Sequence, residues 1–296
     1  MRERKEVQEP EEAKERDARV AAFFDLDGTL LPKPSLEKRL FSMLRHRHLI
    51  CMASYWLWMR EALRLAPRGI KQIQHANKMY LRGVRVEKAN CAAEISASCL
   101  RRDAAREAEK EQKCAGEHFP PFFPDAVERA AWHAERGHAM VILSGTLEPL
   151  AKKAGAALET ELLQRGFAVS IAVCATRLEA AAGSWTGRVA GEAMFGEAKA
   201  GAAKRFCASR EIQLSSCFAY ADSANDRWML EAVGKPIAVN PSNDLARIAA
   251  RNGWPVVQWK DKRHAARQTQ SSGRTKGAEM NCNDKEIAAE GTGNGI

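Results

Sequence analysis

The chain lacks a Cys-x-x-Cys pair, an apolar run long enough to cross a bilayer, an apolar stretch behind its first residues, and any repeat of fixed period. Each absence removes a class of protein. The eight cysteines are scattered, and Cys51, Cys91, Cys174 and Cys217 fall in apolar surroundings, where a small buried thiol is the ordinary role. Reduced thiols and a cytoplasmic setting are expected. The longest apolar stretch, Leu49 to Met59, contains Ser54 and stops at Arg60, well short of the roughly 20 residues of a spanning helix. The opening Met-Arg-Glu-Arg-Lys-Glu-Val leads into a mixed acidic and basic run, so no secretory signal is expected. Without a fixed period, a solenoid or propeller is excluded. No RNA- or DNA-binding motif accompanies the net charge of +9, and no nucleic-acid partner is expected.

What remains is a globular composition, 45% hydrophobic and 28% charged over 296 residues, long enough for a full core and for two modest domains. The positive balance suits an anionic substrate, and weak contact with an anionic membrane surface stays open.

Residues 1–19 mix Glu, Lys and Arg with no apolar stripe and read as a flexible tail. Val20 to Phe24 is an apolar strand. From 35 to 116 the residues turn to Leu, Ala, Arg, Met, Trp and Glu, with Leu36, Leu40, Met43 and Leu44 at helical spacing; Pro67-Arg68-Gly69 and Arg82-Gly83 divide an otherwise all-helical insert. A βα alternation follows. Helix Pro124 to Arg136 precedes a strand from His138 to Leu143 that ends at Ser144-Gly145-Thr146. Helix Leu147 to Gln164, strand Phe167 to Ala175, a hairpin excursion over 176–195 and helix Lys199 to Ser209 come next. Strand Ser216 to Ala221 ends at Asp222, and Pro236 to Val239 and Pro255 to Trp259 supply the last strands. Residues 261–296 are rich in Gln, Ser, Gly and charge and read as a disordered tail. The alternation predicts an α/β fold, a doubly wound parallel sheet, with its core in 20–34 and 117–260 and the helical insert at 35–116.

The first strand runs into Asp25-Leu26-Asp27-Gly28-Thr29. A strand buried on both faces delivers the next residue to the ligand-binding edge of a parallel sheet, so Asp25 is placed to meet a substrate. Asp27 can return toward the same space, and Gly28 lets the backbone turn there. Three more polar clusters lie downstream at strand ends or a helix start: Ser144, Lys199 and Asp222 with Asp226. Lys204 competes with Lys199, which the Gly-x-x-Lys setting favours by placing it at a helix start.

In this order the four clusters resemble the motifs of the haloacid dehalogenase superfamily over about Val20 to Trp259. The likeness is closest to its phosphoserine-phosphatase-like subfamily IB, particularly from Tyr220 to Trp254. A phosphate monoester is a dianion that resists attack, so its hydrolysis needs neutralisation, an in-line nucleophile and a proton for the leaving oxygen. Asp25 suits the nucleophile, forming an aspartyl-phosphate, and Asp27 the general acid and base. Several carboxylates around a phosphate call for a hard cation, and Mg²⁺ is implied. The resemblance implies the Asp25 carboxylate, the Asp27 carbonyl and the Asp222 carboxylate as its ligands, with Asp226 closing the outer shell or holding Lys199. It also implies that Ser144 and the Gly145 N–H bind a phosphoryl oxygen, while Lys199 offsets developing charge. Ala221 and Thr146 stand where the family often carries glycine. Pro32-Lys33-Pro34 occupies the region where phosphoserine enzymes place an acid, with Glu37 a distant candidate.

The insert occupies the position of a C1 cap, which closes over the site and reads the leaving group. Lys78, Arg82 and Arg85 fall at i, i+4 and i+7, one face of a helix that could meet an anionic headgroup, although a solvated face is the commoner role. Tyr55-Trp56-Leu57-Trp58-Met59 is expected to pack between cap and core, with membrane-surface contact as the alternative. The expected activity is hydrolysis of a small or lipid-derived phosphomonoester. A non-catalytic phospho-ligand-binding or regulatory protein of the same fold is the second class, and a phosphotransferase a minor enzymatic variant. Oligomeric state is not legible.

Overall fold

The structure, a computed structural model, describes residues 20–50, 52–69, 73, 75–86 and 122–260. The two expected tails, the part of the insert from 87 to 116 and the first residues of the second core segment, 117–121, lie outside the described residues.

Six strands form one parallel sheet in the order β3-β2-β1-β6-β7-β8. They are β1 (Ala21–Phe24), β2 (Ala139–Leu147), β3 (Ile171–Thr176), β6 (Phe218–Ala221), β7 (Lys235–Val239) and β8 (Val256–Val257), while β4 (Leu178–Ala181) and β5 (Ser184–Val189) make a separate antiparallel hairpin. Strand β1 lies between β2 and β6, with Phe24 level with Ile142 on one side and Tyr220 on the other. The chain winds outward through β2 and β3, then returns to the far side of β1, so the topological switch lies beside the carboxyl end of β1.

Alternation along β1 builds both halves of the core. Ala22 and Phe24 join Met140, Ile142 and Tyr220 beneath α3 (Pro124–Glu135) and α4 (Glu148–Gln164). Ala21 and Phe23 join Val141, Leu143 and Ala219 beneath α5 (Glu197–Ala208), α6 (Arg227–Glu231) and α7 (Asn243–Asn252). Such two-faced burial is why these strands read as continuous apolar runs. It is the doubly wound α/β fold that the alternation predicts. Pro124 opens α3 at its first turn, where a missing N–H costs nothing, and the Ser242 hydroxyl accepts from the Leu245 N–H to start α7.

The insert departs from the all-helical reading. It begins with α1 (Leu36–His46) and α2 (Met52–Leu65), but residues 83–86 run alongside the hairpin, the Gly83 N–H donating to the Trp185 carbonyl and the Trp185 N–H to the Val84 carbonyl. No single helix carries Lys78, Arg82 and Arg85: only a 3-10 turn, Met79–Leu81, lies there. Lys78 is buried while Arg82 and Arg85 are exposed. The edge of the hairpin offers this backbone hydrogen bonds that compete with a helix, which local spacing does not reveal.

Among the described residues no helix is long and apolar enough to cross a membrane. Cys174, Cys207 and Cys217 are free thiols; Cys51 and Cys91 lie outside the described residues.

Candidate active site

Asp25 is the first residue beyond β1, tied to the neighbouring strand by its N–H, which donates to the Tyr220 carbonyl at 2.9 Å. Behind it, Gly28 at φ +99° lets the chain double back, its N–H donating to the Leu31 carbonyl at 2.7 Å. A Cβ on Gly28 would lie 2.3 Å from Asp222 Oδ2. Only glycine lets the loop after β1 touch the loop after β6.

Asp222 follows β6, its carbonyl accepting from the Ser242 N–H at 2.8 Å. Asp226 closes the 3-10 turn Ala224–Asp226, which the Ser223 hydroxyl caps by accepting from the Asn225 N–H. One oxygen from each of Asp25, Asp222 and Asp226 lies within 4.8 Å of the others, and all three residues are buried. Lys199, in the first turn of α5 and 2% exposed, reaches into this cluster. Its Nζ is 2.5 Å from Asp25 Oδ1 and 2.7 Å from Asp226 Oδ1. Lys204 is exposed, so the structure brings Lys199 and not Lys204 to the acids. Lys33, itself 68% exposed, sets its ammonium 2.8 Å from Asp222 Oδ2.

Asp27 turns aside from the cluster. Its Oδ1 accepts from the Leu36 N–H at 2.9 Å and its Oδ2 from the Thr146 hydroxyl at 2.8 Å. Burial above all, then the charge of Asp25, pushes its pKa up to about 6 against the lowering effect of those two donors. Burial likewise raises Asp226 to about 7, the nearby Lys199 notwithstanding, and raises Asp222, with Asp25 adding to that shift. At Lys199 burial works against the charged form, but Asp226 and Asp25 outweigh it and hold the ammonium above its ordinary pKa.

Ser144 and Gly145 lie within β2, which continues to Leu147 instead of ending at Leu143. The pairing with β3 shifts register between Ser144 and Leu147, and such a bulge re-aims side chains. Thr146 thereby reaches Asp27, while the Ser144 hydroxyl accepts from the Thr146 N–H at 3.1 Å. A Cβ on Gly145 would lie 2.1 Å from the Phe195 ring, so Phe195 lies directly over it. His75 of the insert stacks on the same ring, 3.8 Å between centroids and 1° from parallel. Beside Asp27, Glu37 of α1 accepts from buried Lys78 and from the Tyr80 hydroxyl, both at 2.5 Å, and its charge reaches Asp27.

Sequence reasoning missed Thr146 as a partner of Asp27, Lys33 at Asp222, and the Phe195–His75 stack. A hydroxyl directly behind Ser-Gly at a strand end was the available signal for Thr146. For the others only tertiary contact speaks.

The donor set fits a magnesium ion. Three buried carboxylates converge with hard oxygens, while two ammonium groups, those of Lys199 and exposed Lys33, lie against them, which leaves the cluster one positive charge short of balance.

The model of the haloacid dehalogenase-like hydrolases matches residues 22–231. A probable phosphatase of Mycobacterium tuberculosis (strain H37Rv) is 30% identical over 251 residues, which cover 82% of this chain and 76% of that one. A solved protein of unknown function from Bordetella pertussis superposes with a TM-score of 0.58 at 25% identity, covering 81% of this chain and 98% of that one. A substrate-bound phosphoserine phosphatase structure, at 19% identity and a TM-score of 0.54 over 86% of this chain and 99% of that one, shares the fold. The chain belongs to the haloacid dehalogenase-like hydrolase family.

Proposed function

We propose that this hydrolase is a Mg²⁺-dependent phosphomonoester phosphatase working through an aspartyl-phosphate on Asp25, in the manner of the phosphoserine-phosphatase-like subfamily IB. The division of labour between its two strand-end acids carries the reading: Asp25 is paired with an ammonium, while Asp27, held 2.8 Å from Thr146, has its pKa lifted to about 6. One carboxylate suits attack and the other proton transfer near neutrality.

In the first displacement an Asp25 oxygen attacks phosphorus, the bond to the ester oxygen breaks, and Asp27 gives that oxygen its proton. In the second, Asp27 takes a proton from the water that attacks the phosphoryl-aspartate, releasing phosphate and restoring Asp25. Thr146 and the Leu36 N–H orient Asp27 for both transfers. Ser144 and the Gly145 N–H bind a phosphoryl oxygen, and Lys199 offsets charge on Asp25 and on the phosphoryl group. Asp25, Asp222 and the Asp27 carbonyl would hold the ion, with Asp226 beside them steadying Lys199. When bound, the ion supplies positive charge against the phosphoryl oxygens.

Residues 20–34 and 117–260 are the catalytic core in this reading, and 35–116 a cap over the phosphate site, which the contact of His75 with Phe195 supports. The substrate is a small or lipid-derived phosphomonoester. Buried Cys207 and Cys217, with sulfurs 3.8 Å apart and unlinked, suit a reducing cytoplasm.

The test is phosphate release from a panel of phosphoserine, lysophosphatidate and phosphatidylglycerophosphate with Mg²⁺ or EDTA, with Asp25→Asn beside the wild type. Metal-dependent turnover that Asp25→Asn abolishes is expected, and added alcohol that leaves phosphate release unchanged separates hydrolysis from phosphotransfer. No turnover by a folded, Mg²⁺-binding protein on any of these would favour the phospho-ligand-binding alternative.

A further inference from the structure

Helix α2 shows an apolar stripe that none of the other described residues covers. Met52, Trp56, Met59 and Leu63 are 73%, 75%, 49% and 70% exposed. At about 100° per residue these four share an arc of about 60° on the helix. Leu49, just before the helix, is also exposed. The packed face is elsewhere: Ser54, Ala62 and Leu65 are buried and Tyr55 meets Phe41 edge to face. Tyr55 therefore packs within the insert, on α1, and Trp56, against the expectation of packing, faces outward.

Cations border the stripe. Arg60 and Arg64 are exposed on the adjoining flank of α2, and Arg45 and Arg47 are exposed in the chain leading to it. The one acid of α2, Glu61, lies away from the stripe and is paired with Arg64 at 3.1 Å. We propose that α2 lies on an anionic lipid surface, its Met, Trp and Leu side chains entering the headgroup boundary and its arginines meeting lipid phosphates. At 14 residues α2 is too short to span a bilayer, which fits a helix lying in the plane. A second copy is the poorer occupant, because a two-fold contact through the stripe would bring these cations against their own copies. The inference rests on this surface alone and is independent of the proposed reaction.

Flotation of the full chain with phosphatidylcholine vesicles, with and without phosphatidylglycerol, tests it in the absence of substrate. Binding is expected only with phosphatidylglycerol present, decreasing as salt is added. A triple variant, Met52→Ser, Trp56→Ser and Leu63→Ser, should bind at least about tenfold more weakly while keeping the wild-type melting temperature. Trp56→Phe should still bind but lose its share of fluorescence quenching by brominated acyl chains. Equal binding by wild type and triple variant would assign the contact to basic charge elsewhere and overturn the proposal. So would no binding to either vesicle, or a concentration-dependent dimer in free solution that the triple variant abolishes.

Discussion

Acid should destabilise this protein through one buried histidine. His133 of α3 is fully buried, with Nδ1 2.8 Å from His138 Nδ1 and Nε2 2.9 Å from the Tyr220 hydroxyl. A neutral imidazole meets both contacts with one ring proton, one nitrogen donating and the other accepting. Burial, then His138, Arg129, Arg136 and Lys235 around it, pushes its pKa down to about 2. In the unfolded chain a histidine takes its proton near pH 6.5. The folded value is depressed, so the stability it contributes is present above pH 6.5 and is lost as pH falls toward 2. Between pH 7 and pH 5 the unfolded chain gains most of a proton here and the folded chain does not, a loss of about 2 kcal/mol by linkage. That figure requires only that the folded value lie well below 5. Asp27 and Asp226, raised to about 6 and about 7, act in the opposite sense, contributing stability at low pH that is lost as pH rises. Comparison with His133→Gln removes their effect, since Gln can donate and accept but does not titrate. Urea unfolding followed by circular dichroism should show the stability gap between wild type and variant shrinking by about 2 kcal/mol from pH 7 to pH 5. A gap that changes by less than about 0.5 kcal/mol would refute the neutral, buried imidazole.

Gly145→Ala would push a methyl into the Phe195 ring, 2.1 Å away, and should lower kcat/KM at least about tenfold by displacing the part of β2 proposed to meet the phosphoryl oxygens. Adding Phe195→Ala should restore part of that loss with p-nitrophenyl phosphate as substrate, and no recovery would take Phe195 out of the account. Lys199→Met leaves Asp25 and Asp226 buried without their shared cation. It should cost at least about a thousandfold in kcat, and about 3 kcal/mol of stability in EDTA measured by urea unfolding. A variant as stable as wild type in EDTA would mean that the pairing contributes nothing to the fold.

Where a candidate site residue lies next to regular structure, local sequence was enough to place it. Asp25 and Asp222 follow apolar strands, and a parallel strand buried on both faces announces its own end. Lys199 could be preferred to Lys204 because a helix start shows in its residues, and the structure buries the first while leaving the second exposed. Thr146 escaped because a bulge turns it, and a bulge leaves only a weak trace in a strand of nine residues. Residues 83–86 escaped because their partner, the β4–β5 hairpin, lies about a hundred positions downstream.

Helix α2 differs from both cases. Its apolar residues spread well beyond one face, so the sequence does not show which of them are covered; the fold covers the side of Ser54, Ala62 and Leu65 and leaves Trp56 exposed. Hydrophobicity in sequence measures a tendency to leave water, and it does not distinguish the protein interior from a lipid surface as the destination. The arginines at the edge of the stripe make that distinction, because a core disfavours guanidinium groups that are not fully paired and an anionic headgroup layer attracts them even beside the solvent-exposed pair of Arg64 with Glu61. Both parts of the motif were in the chain from the start. Only the fold, by setting Arg60 and Arg64 beside an uncovered Trp56, joins them into one surface.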